Sequence, residues 1–207
     1  MNGKFHHHIW LLLLLASGCA STPVALKQAD YLDPGFNRAE VDRIYLYPPI
    51  DCRVGKKGKK LNLDKVVYYH ALNFLEQWNY RVAVTGDKAV SNELGQVPTA
   101  EGIAIALPGL NIDSDKRWIM FFALLDSYHK VGFGSTGNAE LVGFLYDNKE
   151  KKIVWRNKGE GQSGEIWNGL TSLYMAKEHE RLAAQKAVAG ILEAFPHDPT
   201  IPITQFL

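Results

Sequence analysis

Apolar residues fall into three kinds of run along this chain. The first is one unbroken block, Ile9, Trp10 and Leu11 to Leu15. The second kind is short, rich in β-formers and bounded by turn residues. Arg43-Ile44-Tyr45-Leu46-Tyr47 stops at Pro48-Pro49, because two prolines cannot continue a central strand. Arg81 to Thr85 closes at Gly86-Asp87, and Trp118 to Ser127 is apolar on both faces, as a strand covered on both sides must be. Ala139 to Tyr146 follows, turns at Asp147-Asn148-Lys149-Glu150, and returns as Lys152 to Arg156 in an antiparallel pair. Ile103 to Leu107, stopped by Pro108-Gly109, reads as a further candidate for a buried strand. The stretch Gly134 to Asn138 reads as loose, and Gly159, Gly161 and Gly164 as breaks.

The third kind of run has helical spacing. Val67, Ala71, Phe74, Leu75 and Trp78 share one face of a helix that opens near Asn62 or Asp64 and ends near Asn79. A last long helix is predicted from about Ser172 to Ala194. Its apolar stripe is Ala176, Leu182, Ala183, Ala187, Ile191, Leu192 and Phe195, and Pro196 stops it. Lys177, Glu178, Glu180, Arg181 and Lys186 form its solvated side. Ser91 to Leu94 reads as a short helical turn.

These elements predict an α+β domain, a mixed and mostly antiparallel sheet of about five strands packed against two main helices. The strand, helix and strand between Arg43 and Thr85 have the spacing of a βαβ-type unit. The expected organisation is a signal segment at 1–18, a tether at 19–41, one domain at 42–196 and an extended tail at 197–207.

The block at Ile9 to Leu15 is too short to span a bilayer, which takes about 20 apolar residues. Lys4 and three histidines precede it, and Leu15-Ala16-Ser17-Gly18-Cys19 closes it. A cationic start, a short apolar run and small residues before a cysteine resemble a bacterial lipoprotein signal. That resemblance implies cleavage before Cys19 and its acylation, so that the chain is anchored through the lipid on Cys19. No aspartate follows the cysteine, which favours the outer membrane on its periplasmic side.

Composition narrows the remainder. Removing residues 1–18 from 207 leaves 189, enough for one domain with a real core. The chain has 23 Lys and Arg against 22 Asp and Glu, and only Lys4 leaves with the signal, so the mature chain balances at 22 of each. A neutral balance offers no argument for nucleic acid. The two cysteines are Cys19 and Cys52. With Cys19 in a thioether, Cys52 has no partner in the chain and is expected to be buried.

The order of motifs carries a family resemblance. Leu46-Tyr47-Pro48-Pro49 ends the first strand. Asn79-Tyr80-Arg81-Val82 leads from the helix into the second. Ala139 to Trp155 carries "Ala-x-Leu-Val-x-x-Leu-Tyr-Asp-turn-Ile-Val-Trp", and Ile191 to Pro196 reads "Ile-Leu-x-x-Phe-Pro". This resembles small envelope lipoproteins whose domain is similar to the amino-terminal domain of TolB, with CsgG and PelC as distant members. The family commonly reads "Leu-Val-Asp-x-x-x-Gly-x-x-Leu-Trp" at the strand pair, whereas Asp147 to Lys152 here contains no glycine. The resemblance implies self-association or an envelope protein partner, a role in export or assembly, and no catalytic residues. The chain shows no alternating pair of about 10 residues each, so no pore hairpins are expected.

Candidate chemistry is sparse. Arg53, Lys56, Lys57, Lys59 and Lys60 place five cations in eight residues, a candidate site for anionic lipid or glycan. Tyr68, Tyr69 and Trp167 are candidate interface aromatics. His70, His129, His179 and His197 stand in no metal-binding spacing, so neither metal nor cofactor is expected. Ser163 in Gly161-Gln162-Ser163-Gly164 is not a Gly-x-Ser-x-Gly elbow. The expectation is a non-enzymatic protein.

Overall fold

A computed structural model describes residues 28–53, 61–86, 88–97, 99–131, 135–165 and 171–198. The strands are β1 (Tyr31–Leu32), β2 (Ile44–Leu46), β3 (Ile50–Asp51), β4 (Val82–Val84), β5 (Trp118–Val131), β6 (Ser135–Asp147) and β7 (Lys152–Glu165). The helices are α1 (Asp64–Gln77), α2 (Lys88–Leu94), α3 (Ala100–Ala106) and α4 (Thr171–Leu192). All seven strands form one sheet in the order β1-β7-β6-β5-β2-β4, with β3 also pairing β5. The contacts β1·β7, β7·β6 and β6·β5 are antiparallel, while β2 and β3 on β5 and β4 on β2 are parallel. The fold is therefore the expected α+β class with a mixed sheet, carrying more strands and helices than periodicity alone showed.

Strand β5 shows why the core is double. Trp118, Met120, Phe122 and Leu124 point into one apolar cluster, and Ile119, Phe121 and Ala123 into another. With no polar residue in that run, both faces must be covered. The first cluster lies under α1 and α4, through Val67, Ala71, Phe74, Ala183, Ala187 and Ile191. The second lies under α2 and α3, through Val90, Leu94, Ile103 and Leu107. Each large side chain so buried contributes about 1.5–3 kcal/mol. Cys52 is 2 % exposed and belongs to the second cluster.

Local chemistry sets the boundaries. Asn79 takes a left-handed φ of 60° just past α1. Its N–H donates to Glu76 O at 3.0 Å and the Tyr80 N–H to Leu75 O at 3.0 Å, the two bonds of a Schellman cap. The β6–β7 turn puts Lys151 at φ 53°, four residues after Asp147, where the related pattern has glycine. Asp147 Oδ1 accepts from the N–H groups of Lys149 at 2.9 Å and Glu150 at 3.2 Å, and Arg117 pairs with Oδ2 at 3.0 Å. Those bonds hold the left-handed turn without its glycine.

The structure corrects several expectations. Residues 103–107 are not a strand. Thr99 Oγ1 accepts from Gly102 N–H at 3.1 Å and caps α3, leaving Ile103 and Leu107 one helical turn apart in the core and Ile105 outside. A short apolar run carries either period, and the cap decides it. The prolines at 48 and 49 interrupt pairing without ending it. The chain rejoins β5 at Ile50↔Ala123, so four residues from Leu46 span three from Met120 on the partner strand. The chain also enters the sheet before residue 42, since Tyr31 and Leu32 pair with Arg156 and Trp155. At the other end His197 is buried, stacked on Trp78 at 4.2 Å.

The glycines at 159, 161 and 164 lie within β7, and 135–138 within β6, where breaks were expected. Four glycines form the seat for α4. A Cβ at Gly143 would meet Ile191 Cγ2 at 2.7 Å, and one at Gly159 would meet Ile191 Cγ1 at 2.6 Å. One at Gly161 would strike Ala183 O and come within 2.7 Å of Ala187 N. One at Gly137 would run into the His179–Glu180 peptide. The helix answers with Ala176, Ala183, Ala184 and Ala187, all buried.

Gly161→Ala is therefore expected to destabilise the fold by about 2–3 kcal/mol in urea denaturation, since backbone cannot yield as a side chain can. Gly86→Ala, where a Cβ meets nothing within 4 Å, is expected to change it by less than about 0.5 kcal/mol. A second expectation concerns Tyr80, whose hydroxyl donates to Pro196 O at 2.5 Å. Burial pushes this phenol up to about 12, with Arg38 opposing. Its folded pKa lies above the unfolded value of 10.0, so its contribution is complete below pH 10 and is lost as pH rises through 12. The phenolate absorbance difference between the protein and its Tyr80→Phe variant should titrate in that range and track loss of circular dichroism.

Candidate functional site

Apart from Asp147 in the β6–β7 turn, the buried Arg, Asp and Glu side chains of the described residues meet in one network. Arg53 is 5 % exposed and Glu180 4 %. The Arg53 guanidinium donates from Nε to Asp51 Oδ1 at 2.9 Å and from Nη2 to Asp51 Oδ2 at 2.9 Å and Leu61 O at 3.0 Å. Its Nη1 donates to Ser127 Oγ at 2.7 Å, and Ser127 in turn donates to Glu180 Oε1 at 2.6 Å. Glu180 Oε2 lies 2.9 Å from His129 Nδ1. Four segments thus meet in one network: β3, the lead-in to α1 at Leu61, β5 past its bulge, and α4. The register shift between Leu124 and Asp126 turns Ser127 toward α4, and Gly137 on β6 lets the Glu180 backbone come down to meet it.

A cleft of about 500 Å³ opens on the far side of this network. Its floor is apolar, from Pro48, Pro49, Ile50, Val67 and Leu124, and its polar walls include Asp51, Arg53, Asp64, Lys88, Asn92 and Gln96. Ser91 Oγ donates to Pro48 O at 2.6 Å and pins α2 to the strand break. Gly95 ends α2 close to β3, where a Cβ would be in ordinary contact with Asp51 O at 3.5 Å. Among the described residues no group of three or more His, Cys, Asp and Glu could hold a metal ion.

No family model matches this chain, and no curated protein matches its sequence. Among solved structures it is similar to the PelC dodecamer from Paraburkholderia phytofirmans, at 14 % identity and a TM-score of 0.45, over 74 % of this chain and 87 % of that one. A lipoprotein from Neisseria meningitidis is 16 % identical with a TM-score of 0.43, over 64 % of this chain and 90 % of that one. A hypothetical protein from Chlamydia trachomatis is 12 % identical with a TM-score of 0.46, over 72 % and 92 %. Likenesses of this size carry no activity or partner across to this chain.

The sequence-based candidates fare unequally. Arg53 is turned inward and engaged by Asp51, Ser127 and Leu61 rather than presented to solvent. Lys56, Lys57, Lys59 and Lys60 lie outside the described residues, as do Cys19 and Trp167. Tyr69 is 58 % exposed on α1 and stands edge-on to Tyr68, 5.8 Å away. Glu180, expected on the solvated side of the last helix, is buried. Ser163 Oγ lies 3.5 Å from His179 Nδ1. No carboxylate among the described residues meets the buried Nε2 of that histidine, so the pair lacks the orienting acid of a hydrolytic triad. Periodicity alone gave no sign of Lys88, Asn92 and Gln96, because α2 is two turns long.

Glu180→Ala should leave Arg53 and Ser127 facing a buried vacancy and cost about 3 kcal/mol. Arg181→Ala next to it, which breaks only an exposed pair with Glu178, should cost less than about 0.5 kcal/mol by the same denaturation measurement.

Proposed function

We propose that this protein is a lipid-anchored envelope component, held by acylated Cys19 at the periplasmic face of the bacterial outer membrane, where it acts without catalysis in export or assembly. The observation that carries this reading is Leu15-Ala16-Ser17-Gly18-Cys19 at the end of a short apolar run. Diacylglycerol and an amide-linked chain on one cysteine give an anchor far stronger than a single acyl group. Nine Cα steps separate Cys19 from Gln28, the first described residue. At no more than about 3.3–3.6 Å each, they keep the domain within roughly 30 Å of the anchor. No described helix is long and apolar enough to cross a membrane, so in this reading the lipid is the attachment. Self-association or docking on an envelope protein would use exposed aromatics: Tyr69 is the described candidate, its neighbour Tyr68 is half-buried against the first core, and Trp167 is a third candidate.

A second reading, a binding module for anionic glycan or lipid, draws on the cation-rich segment 53–60. With the Arg53 guanidinium engaged inside the domain, that role would fall to Lys56, Lys57, Lys59 and Lys60.

Cys19→Ser is expected to abolish acyl labelling and move the protein from the membrane fraction to the soluble periplasm or leave it unprocessed. Light scattering of the acylated protein in detergent, with crosslinking in cells, should give a discrete oligomer or one co-purifying partner. A monomer with no partner would sink the assembly role. Salt-dependent lipopolysaccharide binding lost on replacing the four lysines would favour the second reading.

A further inference from the structure

The two edges of the sheet end in the same row. Register carries Leu32 on β1 through Trp155, Leu145, Met120 and Leu46 to Val84 on β4, one residue from each of six strands. The four inner members belong to the first core cluster. The two outer ones reach solvent, Leu32 at 46 % and Val84 at 55 % exposed. One apolar row thus spans the sheet and stops at an uncovered side chain on each edge.

The backbone at the two ends is matched. Ile44 N–H donates to Arg81 O at 2.8 Å and Thr85 N–H to Leu46 O at 3.1 Å, so residues 81, 83 and 85 face β2. Val82 and Val84 then turn their N–H and C=O groups away from the sheet. On β1, Asp33 N–H donates to Val154 O at 2.8 Å, so Tyr31 and Asp33 face β7 and Leu32 turns outward. The strand directions make β1 antiparallel to β4. Neither Val82-Ala83-Val84 nor Tyr31-Leu32 carries the charge or proline that commonly guards an edge. We propose that copies of this chain associate head to tail, β4 of one pairing with β1 of the next, with Leu32 opposite Val84 in a hydrogen-bonded antiparallel pair. This names the contact for the self-association in the proposed envelope role and rests on that part of it. Pairing of β4 with β4 would be antiparallel and would invert one copy, sending the two lead-ins in opposite directions. The head-to-tail contact keeps every copy the same way up, as chains anchored in one leaflet require. Being heterologous, it closes into a ring or extends as an open row.

The test is oxidative crosslinking of the full chain carrying Leu32→Cys and Val84→Cys together. Within one chain these positions lie five strand spacings apart, about 24 Å, so no internal disulfide can form. Across the contact their Cα atoms would stand about 5.5 Å apart, within disulfide range, and oxidation traps even a transient pair. A ladder of dimers, trimers and larger species is expected, with none from either single variant or from Leu32→Cys with Ile105→Cys, whose second site lies on α3. Adding Lys at position 84 in place of Val, with a cysteine at 82, should lower the yield at least about tenfold. Hydrogen exchange across 82–84 of the unmutated chain should slow as its density rises, a readout independent of whether the variants fold. Monomers alone, dimers from Val84→Cys by itself, a ladder from the Ile105 control, or exchange indifferent to density would each overturn the contact. Fractionation is scored separately: loss from membranes counts against the lipid anchor, while the ladder, read in whichever fraction holds the chain, decides the interface.

Discussion

The structure depends on how closely α4 lies on β6 and β7. Four positions on the two strands lack a Cβ because the helix backbone or Ile191 occupies that space. Everything on that side follows from the short separation. Asn157 Nδ2 reaches Ile191 O at 3.0 Å and Trp155 Nε1 reaches Ala194 O at 3.1 Å, so the sheet satisfies carbonyls at the end of the helix. The same descent brings Glu180 down to Ser127 and, through it, to Arg53. A helix held farther off by methyl groups would leave that carboxylate short of its partners, and the buried network would have no anion at its centre.

On the opposite face the packing is ordinary in spacing but not in continuity. Two short helices and a 3-10 turn at Leu107–Gly109 cover the second cluster where α1 and α4 cover the first. Ser91 ties α2 to Pro48, and Thr99 caps α3 within its own first turn. The long strands of the hairpin, by contrast, pair along their full lengths from Trp118↔Asp147 to Ser135↔Glu165. The cleft therefore lies between the long, continuously paired strands and the short helices that cover the second cluster. Segments with few buried contacts open at lower free energy than the core.

Much of this was legible in the residues, and the failures have physical causes. Strand β5 announces itself because a run apolar on both faces has no other home, and Asn79 marks a helix end because it tolerates left-handed geometry. The glycines of β7 misled because they are usually read as turn formers. Their spacing of two, at Gly159 and Gly161, is the better signal, since it places both on one face of a strand. Glu180 could also have been found. It stands four residues after Ala176 and three before Ala183, on the apolar stripe itself, so a carboxylate at that place requires buried partners. Ile103 to Leu107 could not be settled by period, because five apolar residues fit either element until Thr99 is seen to cap. Nothing local to α2 reveals its role, which comes from the order of strands in space.

Cys52 offers a last consequence. Its thiol belongs to the cluster that α2 and α3 enclose, and native side chains cover it almost completely. An alkylating reagent can reach it only when those helices lift away, so its rate of modification is a clock for excursions of that layer. Reagent concentration would separate the two kinetic limits: a rate proportional to it reports how often the open form is populated, and one independent of it reports how fast the layer opens.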